Sequence, residues 1–127
     1  LLQTGYMPVI SPVAVEQDGE GVKNSLLNLN ADTVAGEIAY ALGAKRLIFL
    51  TDVEGVLDAS KKLIPTLSLK NAQAIIASGV ASGGMIPKLE ACVKALKTVP
   101  SAQILDGRSP HALMEALQGM HQGTLIE

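Results

Sequence analysis

Residues 82–88 read Ser82-Gly83-Gly84-Met85-Ile86-Pro87-Lys88, a run whose residue types could hold an anion. Paired glycines let consecutive backbone N–H groups turn toward one point, a concave shape suited to phosphate. Pro87 suits the first position of a helix, where its missing N–H is an orphan in any case. Lys88 then falls in the first helical turn, where the positive end of the helix dipole disfavours a cation by a few tenths to about 1 kcal/mol. A lysine there calls for an anion to answer it. The same letters also describe a plain turn leading into a helix with an exposed lysine. They are not the Walker loop, G-x-x-x-x-G-K-[ST] directly after a strand, since Lys88 stands four residues past the second glycine and Leu89 follows it.

Two further polar clusters could carry chemistry. Asn28, Asn30 and Asp32 fall within five residues at a strand-to-helix junction. Asn30 and Asp32 suit a helix cap and the positive end of the dipole. Asn28 precedes the cap, and its amide offers two donors to a carboxylate or an amide. Thr51 and Asp52 close an apolar run and open Asp52-Val53-Glu54-Gly55-Val56-Leu57. A carboxylate in that place accepts from a nucleotide or its metal-bound water, or caps a turn. His111 and His121 are single histidines without metal-ligand spacing and read as structural or exposed. No CxxC, HExxH, Ser/His/Asp or Cys/His arrangement is legible, so no metal site is expected.

The elements that must position these residues alternate along the chain. Met7–Ser11 is a short apolar strand candidate. Val13–Gln17 and Ser25–Leu29 alternate around Asp18-Gly19-Glu20-Gly21, the pattern of a hairpin. Asn30 caps a predicted helix over 31–42 stopped by Gly43, with Val34, Ala35, Ile38, Ala39 and Leu42 on one face. Arg46–Thr51 is a continuous apolar strand of the kind found in the middle of a parallel sheet. After a loop holding Gly55, Asp58 and Pro65, Ser68 caps a helix through Ala77 that Gly79 ends. Pro87–Thr98 is a helix burying Leu89, Cys92, Val93 and Leu96. Ala102–Leu105 is a strand, Pro110–Leu117 a last helix, and Thr124–Ile126 an edge strand. Strands and helices in alternation predict an α/β layered sheet, whose ligands lie beyond the carboxyl ends of its strands.

Composition narrows the class. The chain has 127 residues, one domain's worth, and is 48% apolar but only 2% aromatic, so its core must be aliphatic. A net charge of −2 without a lysine or arginine run leaves no footprint for nucleic acid. No apolar stretch approaches the 18 or so residues that span a membrane. The single cysteine, Cys92, excludes an intrachain disulfide, fits a reducing cytoplasm, and reads as a small buried hydrophobe. Leu1-Leu2-Gln3-Thr4-Gly5 resembles a helix end closed by glycine, which leads us to expect the C-terminal part of a longer polypeptide.

Five stretches in order are similar to the amino acid kinase family: Gly5–Ser11, Asn28–Asp32, Leu50–Asp58, Ser82–Lys88, and Asp106-Gly107-Arg108-Ser109-Pro110-His111-Ala112-Leu113. Within the family they resemble the branch that phosphorylates the γ-carboxylate of N-acetyl-L-glutamate with ATP and Mg²⁺, an early step of arginine biosynthesis. The resemblance implies a three-layer αβα sandwich with a mainly parallel sheet, of which 1–127 is the C-terminal, nucleotide-binding portion. It also implies a cytoplasmic homo-oligomer, a dimer or a hexamer of dimers. By the same resemblance Lys88 stabilises charge on the transferring phosphoryl group, and Asp32 organises the catalytic lysines. Asn28 and Asn30 take acetylglutamate. The nucleotide lies against Thr51, Asp52, Val53, Glu54, Gly55, Val56, Leu57, Val80, Ala81, Ser82, Gly83, Gly84 and Met85. The family's N-terminal half is absent, and with it a second phosphate-handling lysine, so the 127 residues alone are expected to turn over weakly or not at all. The arginine-inhibited members carry Glu-Gly where this chain has Met120-His121, so feedback inhibition is not implied. Two alternatives stand beside this reading: a family kinase acting on another carboxylate or carbamate, and a non-catalytic nucleotide- or effector-binding module.

Overall fold

A computed structural model describes residues 2–18, 21–81, 83–120 and 122–127. Val13–Asp18 (β1) and Gly21–Asn28 (β2) pair antiparallel as a separate two-stranded ribbon, with a register irregularity between Val15 and Gln17. The expected hairpin is present, with its second strand starting earlier than the alternation suggested; Gly19 and Glu20 of its turn lie outside the described residues. Ala31–Leu42 (α1) follows. Asn30 accepts the Thr33 amide at 3.0 Å, and Gly43 closes the helix at a φ of 55°.

Four strands build the main sheet: Leu47–Thr51 (β3), Thr66–Leu67 (β4), Ala102–Asp106 (β5) and Thr124–Ile126 (β6). Their order is β3-β5-β6-β4; β3 with β5 and β4 with β6 run parallel, while β5 and β6 run antiparallel. Leu69–Ser78 (α2) is capped by Ser68, which accepts the Asn71 amide, and stopped by Gly79. Met85–Ala95 (α3) and Ala112–Leu117 (α4) complete the set. Alternate strand residues face opposite sides, as the two-residue period requires. Leu47, Phe49 and Ile104 join the core under α1, α2 and α3, whereas Ile48 and Leu105 pack with Ala112 and Ala116 of α4. Helices therefore cover both sheet faces, giving the three expected layers with a mixed, parallel-leaning sheet.

Several expectations need correction. Met7–Ser11 forms no strand: Met7 and Val9 are 90% and 96% exposed, and an apolar run becomes a strand only where another strand takes its backbone groups. β3 lies at the edge of the described sheet, not in its middle, and leaves Leu50 half exposed. β6 is an interior strand, and β4, two residues long, carried too little pattern to be read. α3 begins at Met85, so Pro87 is its third residue; proline is still tolerated there because the first helical N–H groups lack intrahelical acceptors. α4 begins only at Ala112, because His111 adopts a left-handed φ of 61°. Val93 and Leu96 are part-buried, while Leu89 and Cys92 are fully buried.

The closest helix contact is between α1 and α3. A Cβ placed on Gly36 would meet Ala91 Cβ at 2.8 Å and Ala91 Cα and O at 2.9 Å, so only glycine permits this approach. Lower down, Lys94 pairs with Glu37 at 3.0 Å and lies 4.5 Å above the Tyr40 ring. Among the described residues no helix is long and apolar enough to cross a membrane.

Candidate functional site

The contact between α1 and α3 brings together two residues 56 positions apart. Asp32, in the first turn of α1, accepts from Lys88 Nζ at 2.9 Å, and both side chains are about one-fifth exposed. Each helix N-terminus explains one partner. The dipole of α1 favours the Asp32 carboxylate, and that carboxylate offsets the placement of Lys88 in the first turn of α3. Asp32 is thus the anion that answers Lys88 in the structure. Behind the pair, burial and, to a smaller degree, the Asp32 charge push the Cys92 thiol up to about 12, which keeps it neutral and unreactive.

The glycine pair leading into α3 has the shape expected of it. Gly83 takes a φ of 57° and Gly84 a right-handed conformation. That alternation turns successive N–H groups toward one concave side. Gly84, at the cap position of α3, has no side chain to cap it. Ser82 lies outside the described residues.

A cavity of about 200 Å³ opens beside this helix start, lined by Val53, Gly55, Val56, Leu57, Val80, Ala81 and Met85. Met85 lies three residues before Lys88 on α3, one turn away, and lines the cavity, whereas Lys88 does not. Seven of the residues expected to hold a nucleotide thus form one apolar wall. Thr51 is placed differently. Its hydroxyl accepts the Val53 amide at 3.1 Å and donates to the Val53 carbonyl at 2.9 Å, shaping the turn out of β3. Asp52 and Glu54 are exposed on that turn, outside the cavity lining. Asn28 ends the separate ribbon, not a strand of the layered sheet, and is exposed. Asn30 is also exposed, with its side-chain oxygen engaged in the α1 cap.

Two residues of the Asp106–Leu113 stretch that were given no site role belong to the same end of the sheet. Asp106 is the register partner of Thr51, and it accepts from Arg108 Nε at 2.9 Å and Nη2 at 2.8 Å. Asp106 and Arg108 form an ion pair at that end, with the Asp52 charge a lesser influence on the guanidinium. The signal that could have found Asp106 is the rule already applied to Asp52, a carboxylate directly after an apolar strand.

The Arg108 fork holds the Asp106 carboxyl below its ordinary 3.8, at about 2. A depressed carboxylate stabilises the fold fully above about pH 4, and that contribution is lost as the pH falls toward 2. Asp106→Asn should therefore lose this part of the acid-unfolding slope. Denaturation midpoints taken across that pH range check it, and a variant that tracks the parent protein throughout contradicts it. Among the described residues no three acidic, histidine or cysteine side chains gather to hold a metal.

The fold and site define a class. The chain belongs to the amino acid kinase family, whose sequence model matches residues 1–106. It is 55% identical over 122 residues to the acetylglutamate kinase of Afipia carboxidovorans, covering 94% of this chain and 40% of that protein. It is 54% identical to the acetylglutamate kinase of Granulibacter bethesdensis, covering 99% of this chain and 41% of that protein. The chain thus spans about two-fifths of the length of the curated relatives it matches. Among solved structures, N-acetylglutamate synthase from Neisseria gonorrhoeae, complexed with coenzyme A and L-arginine, superposes with a TM-score of 0.78 at 27% identity, over 92% of this chain and 26% of that one. Carbamate kinase from Giardia lamblia bound to AMP-PNP gives 0.73 at 24% over 88% of this chain and 40% of that one, a likeness of fold.

Proposed function

We propose that the protein transfers the γ-phosphoryl group of MgATP to the γ-carboxylate of N-acetyl-L-glutamate, and that these 127 residues supply the nucleotide side and one catalytic lysine. The observation that carries the proposal is the Asp32–Lys88 pair set beside an apolar cavity at the start of α3. Relatives more than 50% identical are named for this activity, which favours it over a kinase for carbamate or a silent binding module. Phosphoryl transfer between two anions asks for positioning and charge stabilisation, not for a covalent nucleophile. The acceptor carboxylate is already ionised at neutral pH, so no base is needed. Asp32 therefore serves by holding Lys88, whose ammonium faces the charge that develops on the transferring group.

In this reading the purine lies against the wall of Val53–Leu57, Val80–Ala81 and Met85, and the phosphates lie toward the Gly83–Gly84 turn. The magnesium ion arrives with the nucleotide as part of the substrate. Asn28 and Asn30 present amides to acetylglutamate. Arginine biosynthesis in the cytoplasm and a homo-oligomeric state belong to the same proposal. The remaining three-fifths of the relatives' length would supply a second phosphate-handling lysine. Two features support a large apolar partner of that kind: the exposed run at Met7, Val9 and Ile10, and the uncovered sheet edge at β3.

Saturable MgATP binding that is lost in Val80→Asp, a charge set into the apolar wall, is the expected result, followed by calorimetric titration. Binding that is absent from the parent protein, or that ignores the substitution, contradicts this placement of the nucleotide.

A further inference from the structure

Thr124 is fully buried on β6, and its hydroxyl is used twice. It accepts the Val56 amide at 2.8 Å and donates to the Ile64 carbonyl at 2.7 Å. Val56 and Ile64 face each other across a small hairpin. The Ile64 amide donates to the Val56 carbonyl at 2.9 Å, Leu57 and Leu63 form an antiparallel bridge, and the Asp58 amide donates to Lys62 at 2.8 Å. The tip closes on itself, since Asp58 Oδ1 accepts the Ser60 and Lys62 amides. The base of the hairpin is thus gripped on both strands by one hydroxyl from a different strand of the sheet.

The contact is tight. A Cβ on Gly55 would lie 2.7 Å from Thr124 Oγ1 and 3.0 Å from its amide nitrogen, and Gly55 holds a φ of 153°. Gly55, Val56 and Leu57 are three of the seven residues lining the apolar cavity.

We propose that Thr124 is a positioning residue for the nucleotide: its hydroxyl fixes the Gly55–Leu57 wall against which a purine nucleoside triphosphate packs. The inference rests on the nucleotide reading above and goes beyond it, because Thr124 stands behind the wall without lining the cavity and lies outside the segment that the family model matches. An isosteric valine at this position leaves the Val56 N–H and the Ile64 carbonyl buried without that partner, and the wall must move to satisfy them. Serine keeps both bonds.

The test is titration of the full-length polypeptide with MgATP and, separately, with N-acetyl-L-glutamate. Thr124→Val should weaken MgATP binding about tenfold or more and leave acetylglutamate binding unchanged, while Thr124→Ser binds both as the parent does. Equal MgATP affinity in Thr124→Val overturns the proposal, as does an equal loss for both ligands, which marks a general loss of structure. A parent protein that does not bind MgATP overturns the underlying nucleotide reading instead. If Thr124→Val does not fold, amide exchange in the parent decides. MgATP should slow exchange at Val56 and leave Lys61 at the hairpin tip unchanged; an unchanged Val56 amide overturns the proposal.

Discussion

On the function proposed above, replacing Lys88 by alanine should lower kcat of the full-length polypeptide by about 10²–10³, the usual effect of removing one preorganised donor from a developing charge. The geometry is the reason for expecting so large an effect from one side chain. Lys88 Nζ is held at 2.9 Å by Asp32, in a setting only about one-fifth exposed. In the proposed reaction its charge would be in place before the phosphoryl group moves, with little reorganisation left for the chemical step. The cavity proposed for the nucleotide is lined by Met85, not by Lys88, so the KM for ATP should change far less than kcat. That split distinguishes a group acting in the transition state from one that merely binds substrate. Acyl phosphate trapped with hydroxylamine provides the measurement. A variant retaining kcat within about threefold of the parent, or losing only ATP affinity, would remove Lys88 from the reaction.

Leu89→Ala is expected to destabilise the protein by about 2–5 kcal/mol, the range for a buried leucine whose surroundings cannot collapse. Leu89 is fully buried in the main core, on the helix that packs against both α1 and α2. With neighbours on both sides and the sheet beneath, the space it leaves cannot close by movement of α3 alone. The effect should also reach the site, since Leu89 follows Lys88 directly and helps to seat that turn of the helix. Met114 provides the comparison. It lies on α4 and is more than half exposed, so Met114→Ala should stay within about 0.5 kcal/mol. Urea midpoints for the two variants test the ranking, and comparable losses would contradict the account of the core.

Local chemistry was legible in the sequence, and pairing over distance was not. Asn30, Gly43, Ser68 and Gly79 mark helix ends by what their own side chains or backbones can do, and all four occupy the expected places. The Gly83–Gly84 turn was readable for the same reason. Strand order depends on contacts between distant residues, and nothing in Leu47–Thr51 states whether one neighbour or two will lie beside it. Pro87 showed that a helix begins near it, but three positions of the first turn tolerate its missing N–H almost equally. Asp32 and Lys88 could each be assigned to a helix start from the residues alone. Their meeting required the crossing of α1 and α3, which depends on Gly36 and Ala91. Thr124 had no signal at all, since a three-residue strand with one threonine resembles many edges.

The contact at Gly36 bears on how the molecule can move. Helices separated by layers of long side chains can slide, because those side chains change rotamer as they go. Here the approach is almost backbone to backbone, one turn below Asp32 on one helix and three residues beyond Lys88 on the other. There is no compliant material between the two helices at that level. Sliding of α1 past α3 would drive Gly36 into Ala91, so a displacement of one helix is expected to carry the other with it. The turns that carry the Asp32 carboxylate and the Lys88 ammonium are thereby tied to each other through the backbone as well as through their ion pair.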